Sequence, residues 1–376
     1  MLHEPVGQRR FEVTPLAIAL MHACRAPLPF AAIRDGFPGL TTSTVRRVLG
    51  QMVRSGAIVR RASPSSMPAE TQRAGRWGKW SPAATFFHFA TKNVAWASGE
   101  ALQEFEDTLR ARAAIEPPPP AMKRIDGRVS VPLPRAVAEG EFRSVLLDRR
   151  TWRGFASVPV SLAALAELLD LTFGVRRWVG TDAGERLPLK TSPSAGGRHP
   201  IEAYVLAPNV QGLAKGLYHY APDRHRLERL RRGATPRQIE GYLGGQWWYG
   251  SAGAVVLMTA VLPRVWWRYD MPRAYRSVLL DAGHVCQTFC LVATALQLAP
   301  FCTMALADSR IERDLGIDGV SEIVLYAAGV GVRPADGYVQ WPSRPAGRTY
   351  VSPDLDDKRG NGAAGARPSP RRRAPR

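Results

Sequence analysis

Two short stretches concentrate side chains able to bind or react. The first is Asp148-Arg149-Arg150-Thr151-Trp152-Arg153-Gly154-Phe155, where closely spaced arginines can fork around a phosphate and Thr151 adds a hydroxyl donor. Each charge-assisted bond of that kind is worth about 1.5–3 kcal/mol. A solvated basic face would give the same run. The second is Thr191-Ser192-Pro193-Ser194-Ala195-Gly196-Gly197-Arg198-His199-Pro200-Ile201-Glu202, small residues bracketed by two prolines and leading into a strand. Small side chains let backbone N–H groups approach a flat ligand closely. Neither GxGxxG nor GxxxxGK[ST] occurs there, which argues against a Rossmann or P-loop site. The four cysteines, Cys24, Cys286, Cys290 and Cys302, contain no CxxC pair, so neither a zinc ribbon nor a redox dithiol is indicated. Cys286 and Cys290 would share a helical face near His284, but buried cysteines are common in cores, and no metal site is assigned.

These stretches need elements to hold them. Ser161 is placed to cap a helix carrying Leu162, Leu165, Leu168, Leu169 and Phe173 inward, ended by Gly174. Ile201–Ala207, Gly216–Ala221 and Arg226–Leu230 read as strands, the last two joined by a turn at Pro222-Asp223. Ala254–Val261 and Glu322–Ala328 are continuous apolar runs, as expected of strands covered on both faces, and Ala274–Leu298 reads as a long buried helix between them. No βαβ alternation is present, so the class is α+β.

Upstream, residues 1–115 read as a separate unit. Thr14 caps a first helix, a second spans Phe30–Gly36, and Thr41-Thr42-Ser43 starts a third that carries Val45, Val48, Leu49, Met52 and Val53 and stops at Gly56. With a strand expected at Ala57–Arg61, this is a winged-helix-like pattern, and Arg46, Arg47 and Arg54 would lie exposed on the third helix. A Pro-rich linker is expected at 116–128, the main domain at 129–351 and a disordered basic tail at 352–376.

The net charge of +19, carried almost wholly by Arg, could attract nucleic acid, but charge alone marks non-specific attraction and not a site, so a broadly basic surface is expected and a nucleic-acid partner is not. The apolar run Gly253–Val261 is too short to span a bilayer. Leu16–Cys24 lacks the flanks of a signal peptide, so a cytoplasmic location is expected.

The order of motifs adds a resemblance. Arg-Arg-Thr-x-Arg-x-Phe at 149–155, then Pro-Ser-Ala-Gly-Gly-x-His-Pro-Ile-Glu at 193–202, then Gly216-Leu217-Tyr218-His219-Tyr220 is similar to the SagB-type dehydrogenase branch of the nitroreductase-like superfamily. Leu280-Asp281-Ala282-Gly283-His284-Val285-Cys286-Gln287 resembles that family's helix opening, and Glu322 to Gly331 its closing strand. The resemblance covers roughly residues 143–335. It implies a nitroreductase-like domain with a central mixed or antiparallel sheet flanked by helices, and a homodimer holding flavin mononucleotide (FMN) at the subunit interface. Arg149, Arg150, Thr151 and Arg153 match the phosphate segment, and Pro193, Ser194, Ala195, Gly196 and Gly197 the loop along the isoalloxazine ring. Gly329, Gly331 and Arg333 fall in the terminal segment near the phosphate.

The family's peptide-oxidising members carry a Lys-Tyr pair ahead of the buried helix. Arg268 and Tyr269 occupy the matching positions. Tyr269 keeps a phenol that could relay a proton, whereas the Arg268 guanidinium stays charged and can act only electrostatically. The expected function is FMN-dependent oxidation of azoline-type rings to azoles in a ribosomally made peptide, with the N-terminal unit docking a leader peptide or a cyclodehydratase-type partner. Two alternatives remain open: an NAD(P)H-dependent nitro- or quinone-type reductase, and a winged-helix DNA-binding regulator with a ligand-sensing domain.

Overall fold

The computed structural model describes residues 2–4, 9–60, 75–93, 100–115, 140–180, 186–269 and 271–338. The expected linker at 116–128 and tail at 352–376 lie outside the described residues. The chain begins with a hairpin of β1 (Leu2–Glu4) and β2 (Arg9–Phe11). Three helices follow: α1 (Pro15–Ala23), α2 (Phe30–Asp35) and α3 (Thr42–Ser55). Thr14 and Thr41 cap α1 and α3 by accepting from Ala17 N and Thr44 N, and Gly56 ends α3 in the left-handed region at φ 76°. Leu20, Ile33, Val45, Leu49 and Met52 form a small core of their own. The expected strand after α3 is not formed: residues 57–60 are irregular, because Ala57 N and Ile58 N both turn back to Met52 O and close the helix end. The only strand pair in this part among the described residues precedes the helices, so the wing is absent from the described residues.

Residues 75–93, grouped by sequence with that unit, instead enter the core of the main domain. Trp77 and Trp80 are fully buried there, Trp77 Nε1 donating to Val320 O at 3.1 Å and Trp80 Nε1 to Tyr269 O at 3.2 Å. The helix α4 (Ser81–Thr91) sends His88 Nδ1 to within 2.9 Å of Tyr275 Oη, and Lys92 just beyond it pairs with Glu312. Then come α5 (Glu100–Ile115) and α6 (Glu141–Asp148).

In the main domain, the two-residue β3 (Val160–Ser161) leads into α7 (Leu162–Phe173), whose first turn Ser161 caps by accepting from Ala164 N. A ribbon of β4 (Arg177–Gly180) and β5 (Arg186–Leu189) precedes β6 (Ile201–Ala207), β7 (Val210–Gln211), β8 (Gly216–Ala221) and β9 (Arg226–Arg232). Next are α8 (Pro236–Tyr242), β10 (Ala254–Val261), α9 (Pro263–Trp266), α10 (Ala274–Ala295), β11 (Leu298–Thr303), α11 (Asp308–Leu315) and β12 (Glu322–Val332). Six strands form one antiparallel sheet in the order β11-β12-β10-β6-β8-β9.

Strand periodicity explains the continuous apolar runs. In β10, Ala254, Val256, Met258 and Ala260 join one core with α7 and α10, while Val255 and Leu257 join the other with α8 and α11. Both faces are covered, so the strand is apolar at every position but Thr259, whose buried hydroxyl donates to Glu322, although the sheet is antiparallel. Helix α10 is long and apolar enough to cross a membrane, but it lies against the sheet with Val278, Val285, Phe289 and Ala293 buried.

Candidate active site

The loop 191–200 is tied down on α10 and α7. Thr191 Oγ1 donates to Leu171 O at 2.6 Å, and Ser192 Oγ lies 2.6 Å from Thr288 Oγ1. Asp281 accepts from Ser194 Oγ at 2.5 Å and from Ala195 N at 3.3 Å, while Ser194 Oγ itself receives His199 N at 2.8 Å. Burial raises the Asp281 carboxyl above its ordinary range, opposed by those two bonds. The bend needs Gly196 and Gly197, which take φ 60° and 64°. A Cβ on Gly196 would collide with the Tyr269 hydroxyl, so Tyr269 and the bend are brought into direct contact. Tyr269 is held by Trp80 at its carbonyl, and the Arg268 guanidinium lies 5.7 Å from its ring centre.

Behind the loop sits a charged network. Glu202 pairs with Arg264 and receives His219 Nε2 at 2.9 Å; Arg264 Nη1 also donates to His199 O at 3.0 Å. Burial alone would raise Glu202, but hydrogen bonds and charge from His219 and Arg264 outweigh it, and its pKa falls. His219 is raised in turn, chiefly by its bond to Glu202. Burial lowers Lys190 to about 8 and His199 to about 4. Lys190, Ser192, Ser194, His199 and Asp281 line a water-sized cavity beneath the bend.

The arginine stretch is arranged differently. Trp152 N donates to Pro300 O at 2.9 Å and Ala156 N to Val332 O at 3.0 Å, so the segment runs along β11 and β12. Arg150 folds back, donating to Leu147 O at 2.6 Å and Arg149 O at 2.8 Å, where it satisfies the carbonyl end of α6. Arg333 caps α10 in the same way, bonding Thr294 O, Leu298 O and Gln297 Oε1, and stands 5.6 Å from the Trp152 ring centre. Arg153 lies beside Tyr249. Arg149 forms no ion pair among the described residues, and the Thr151 hydroxyl makes no hydrogen bond among them. Gly329 and Gly331 are explained by packing: a Cβ on the first would strike Phe301, and on the second Phe155 at 2.6 Å.

Within one chain the two regions do not meet. Asp281 and Thr288, which hold the loop, share one stripe of α10. Cys290, whose thiol feels the Arg149 charge, lies nine residues from Asp281 and so on the opposite stripe. Asp281 and Thr294 are also separated by about 20 Å along the axis at ~1.5 Å per residue.

Sequence reasoning did not assign the roles of Asp281, Trp80, Lys190 or Arg264. Asp281 was visible only as part of a motif; its being the one acidic residue of a mostly apolar helix is the signal that could have singled it out.

The nitroreductase family profile matches residues 146–332. A Methanocaldococcus jannaschii protein named as a nitroreductase is 31% identical over 181 residues, covering 48% of this chain and 87% of that protein. The chain belongs to the nitroreductase family. The trifolitoxin-processing protein TfxB of Rhizobium leguminosarum bv. trifolii is 31% identical over 148 residues, 38% of this nitroreductase-family chain and 39% of TfxB. The match to TfxB and the ordered motifs together support the SagB-type branch of the nitroreductase family. Among solved structures, the E. coli microcin synthetase McbBCD complex with truncated pro-MccB17 aligns at TM-score 0.48 and 19% identity, covering 72% of this chain and 98% of that one. Family membership makes the chain an oxidoreductase of the nitroreductase class.

The donor set fits a flavin nucleotide. Arg149 and Thr151 offer a cation and a hydroxyl for a phosphate, and the left-handed Gly196-Gly197 bend presents side-chain-free backbone beside a phenol.

Proposed function

We propose that the chain is an FMN-dependent dehydrogenase that matures a ribosomally made peptide by oxidising azoline-type rings to azoles. The observation that carries this reading is the contact between the Tyr269 hydroxyl and the Gly196-Gly197 bend, which sets a proton-relaying phenol where the resemblance puts the flavin ring. The processing role in the name of TfxB supports a peptide substrate.

FMN bound there would supply the hydride acceptor. Arg149 and Thr151 would hold its phosphate, and residues 193–197 would lie along the ring. Tyr269 relays the substrate's ring proton through Oη, and the Arg268 guanidinium, 5.7 Å from its ring centre, sets a positive charge beside the reacting region. Lys190, lowered to about 8, gives the region an amine able to exchange a proton near neutral pH, which Arg268 cannot do. The Trp80–Tyr269 bond and the Asp281–Ser194 bond keep phenol and bend in register.

Because one chain separates the arginine segment from the bend, the reading includes a homodimer in which a second copy completes each site. Phe142 at 69%, Leu147 at 55% and Leu280 at 61% exposure leave apolar surface on α6 and α10 for that contact. The matching relative named as a nitroreductase favours a second reading, NAD(P)H-dependent reduction of a nitro or quinone compound at the same site.

Purified protein is expected to be yellow, to release FMN by mass, and to convert an azoline-bearing peptide with loss of two mass units. Colourless protein that takes up no FMN ends the flavin reading. Rapid bleaching by NADPH with no change in the peptide selects the reductase.

A further inference from the structure

Beneath the arginine segment, on the stripe of α10 that faces β11, lies a group of side chains the proposed reaction does not use. Cys286 and Cys290 stand one turn apart on α10, and Cys302 faces them from β11. Their three sulfur atoms all lie within 4.8 Å of one another, two of the residues buried and Cys302 half-buried. None is in a disulfide. We propose that Cys286, Cys290 and Cys302 form a trithiolate site for a thiophilic closed-shell cation, Zn2+ in the first place.

The geometry is near that of a bound ion. Three sulfurs each about 2.3 Å from one metal stand roughly 3.8–4.0 Å apart, so small side-chain rotations close the triangle. The donor set is all sulfur, with no carboxylate, which selects Zn2+ or Cu+ over Mg2+ or Ca2+. His284, the nearest other ligand by sequence, is exposed on a different face of α10 and takes no part.

Cys302 Sγ receives a hydrogen bond from Tyr326 Oη at 3.4 Å, and both Cys290 and Cys302 lie in the positive field of Arg149. Three thiolates about Zn2+ leave one negative charge, which the Arg149 guanidinium offsets; about Cu+ they leave two. Charge therefore ranks Zn2+ first. Arg149 would then face the metal on one side and the phosphate-binding stretch on the other.

The test uses the full chain, stripped with chelator and kept reduced by a phosphine. Titration with Co2+, the spectroscopic stand-in for Zn2+, is expected to give thiolate-to-cobalt absorption saturating at one ion per chain and erased by Zn2+. Cys302→Ser should weaken binding at least tenfold, and Cys24→Ser should leave it unchanged. A parallel anaerobic arm titrates Cu+ against a chromophoric chelator; retention of Cu+ alone still supports the site and assigns it to the softer ion. Wild-type protein, folded by circular dichroism, that binds neither ion overturns the proposal. Cobalt absorption that survives in both Cys302→Ser and Cys286→Ser overturns it too.

Discussion

The glycine bend at 194–197 and the arginine segment at 149–153 match family motifs equally well by sequence, yet the fold treats them in opposite ways. At the bend, side chains bind to one another for the sake of the loop: Asp281, Ser194 and His199 N form a chain of bonds, and Gly196 yields its space to Tyr269. In the arginine segment and the terminal segment beside it, one assigned cation from each serves the scaffold. Arg150 and Arg333 direct their donors to helix-end carbonyls, and Gly329 and Gly331 make room for Phe301 and Phe155. A motif residue next to a site can be retained by packing alone, and only its partners tell the two cases apart.

The largest effect expected from this contrast is at Tyr269. Tyr269→Phe should keep the bound flavin and lose about 10²–10⁴-fold in peptide oxidation, the usual range for a positioned acid–base group. Undiminished turnover would reduce the Tyr269–Gly196 contact to packing. Gly196→Ala places a Cβ against that hydroxyl and a non-glycine residue at positive φ, costing about 1–3 kcal/mol locally. Thermal melting and flavin content should both fall, and a variant with wild-type values for both would show that the bend is not constrained.

Next comes the arginine pair. Arg149→Ala should weaken FMN retention by roughly 10–150-fold, the equivalent of one charge-assisted bond of about 1.5–3 kcal/mol. Arg150→Ala should change it less than threefold, because its guanidinium already serves α6. Equal losses in a fluorescence titration of FMN would cancel the distinction.

The smallest effect concerns the network behind the bend. His219 is raised in the folded chain, so its contribution is fully present below its unfolded pKa and is lost as pH rises through the folded value. Glu202 is lowered, so its contribution is present above its unfolded pKa and is lost as pH falls through the folded value. The melting-temperature difference between wild type and His219→Gln should therefore be greatest near pH 5–6, between the unfolded values of the two groups. It should shrink as pH rises above the ordinary histidine range. A difference flat across pH 5–9 would mean that the pair does not form.

Much of the sheet was legible because apolar runs bounded by turn residues leave few choices: β6, β8 and β10 span the residues expected of them. Strand β11 was missed because the apolar pattern of α10 continues into it. The break is made by Gln297 at φ 56°, a left-handed residue that composition does not announce. β12 runs four residues beyond its expected end, since its two glycines face phenylalanine rings and continue the strand. The bend was legible from its residue types. Its anchors were not, because Trp80, Asp281 and Tyr269 converge from stretches nearly 200 residues apart. Cys302 likewise gave no signal, since local spacing cannot show a strand delivering it to a helix.

The two indoles at 77 and 80 carry a practical lesson for anyone shortening the chain. An expression boundary drawn at the family match, residue 146, would discard both of them together with the His88–Tyr275 and Lys92–Glu312 links, and would leave a cleft beneath Tyr269 where two large rings had filled the interior. Such a fragment should emerge insoluble or partly molten, whereas one beginning upstream of residue 75 should keep its interior filled and its melt cooperative.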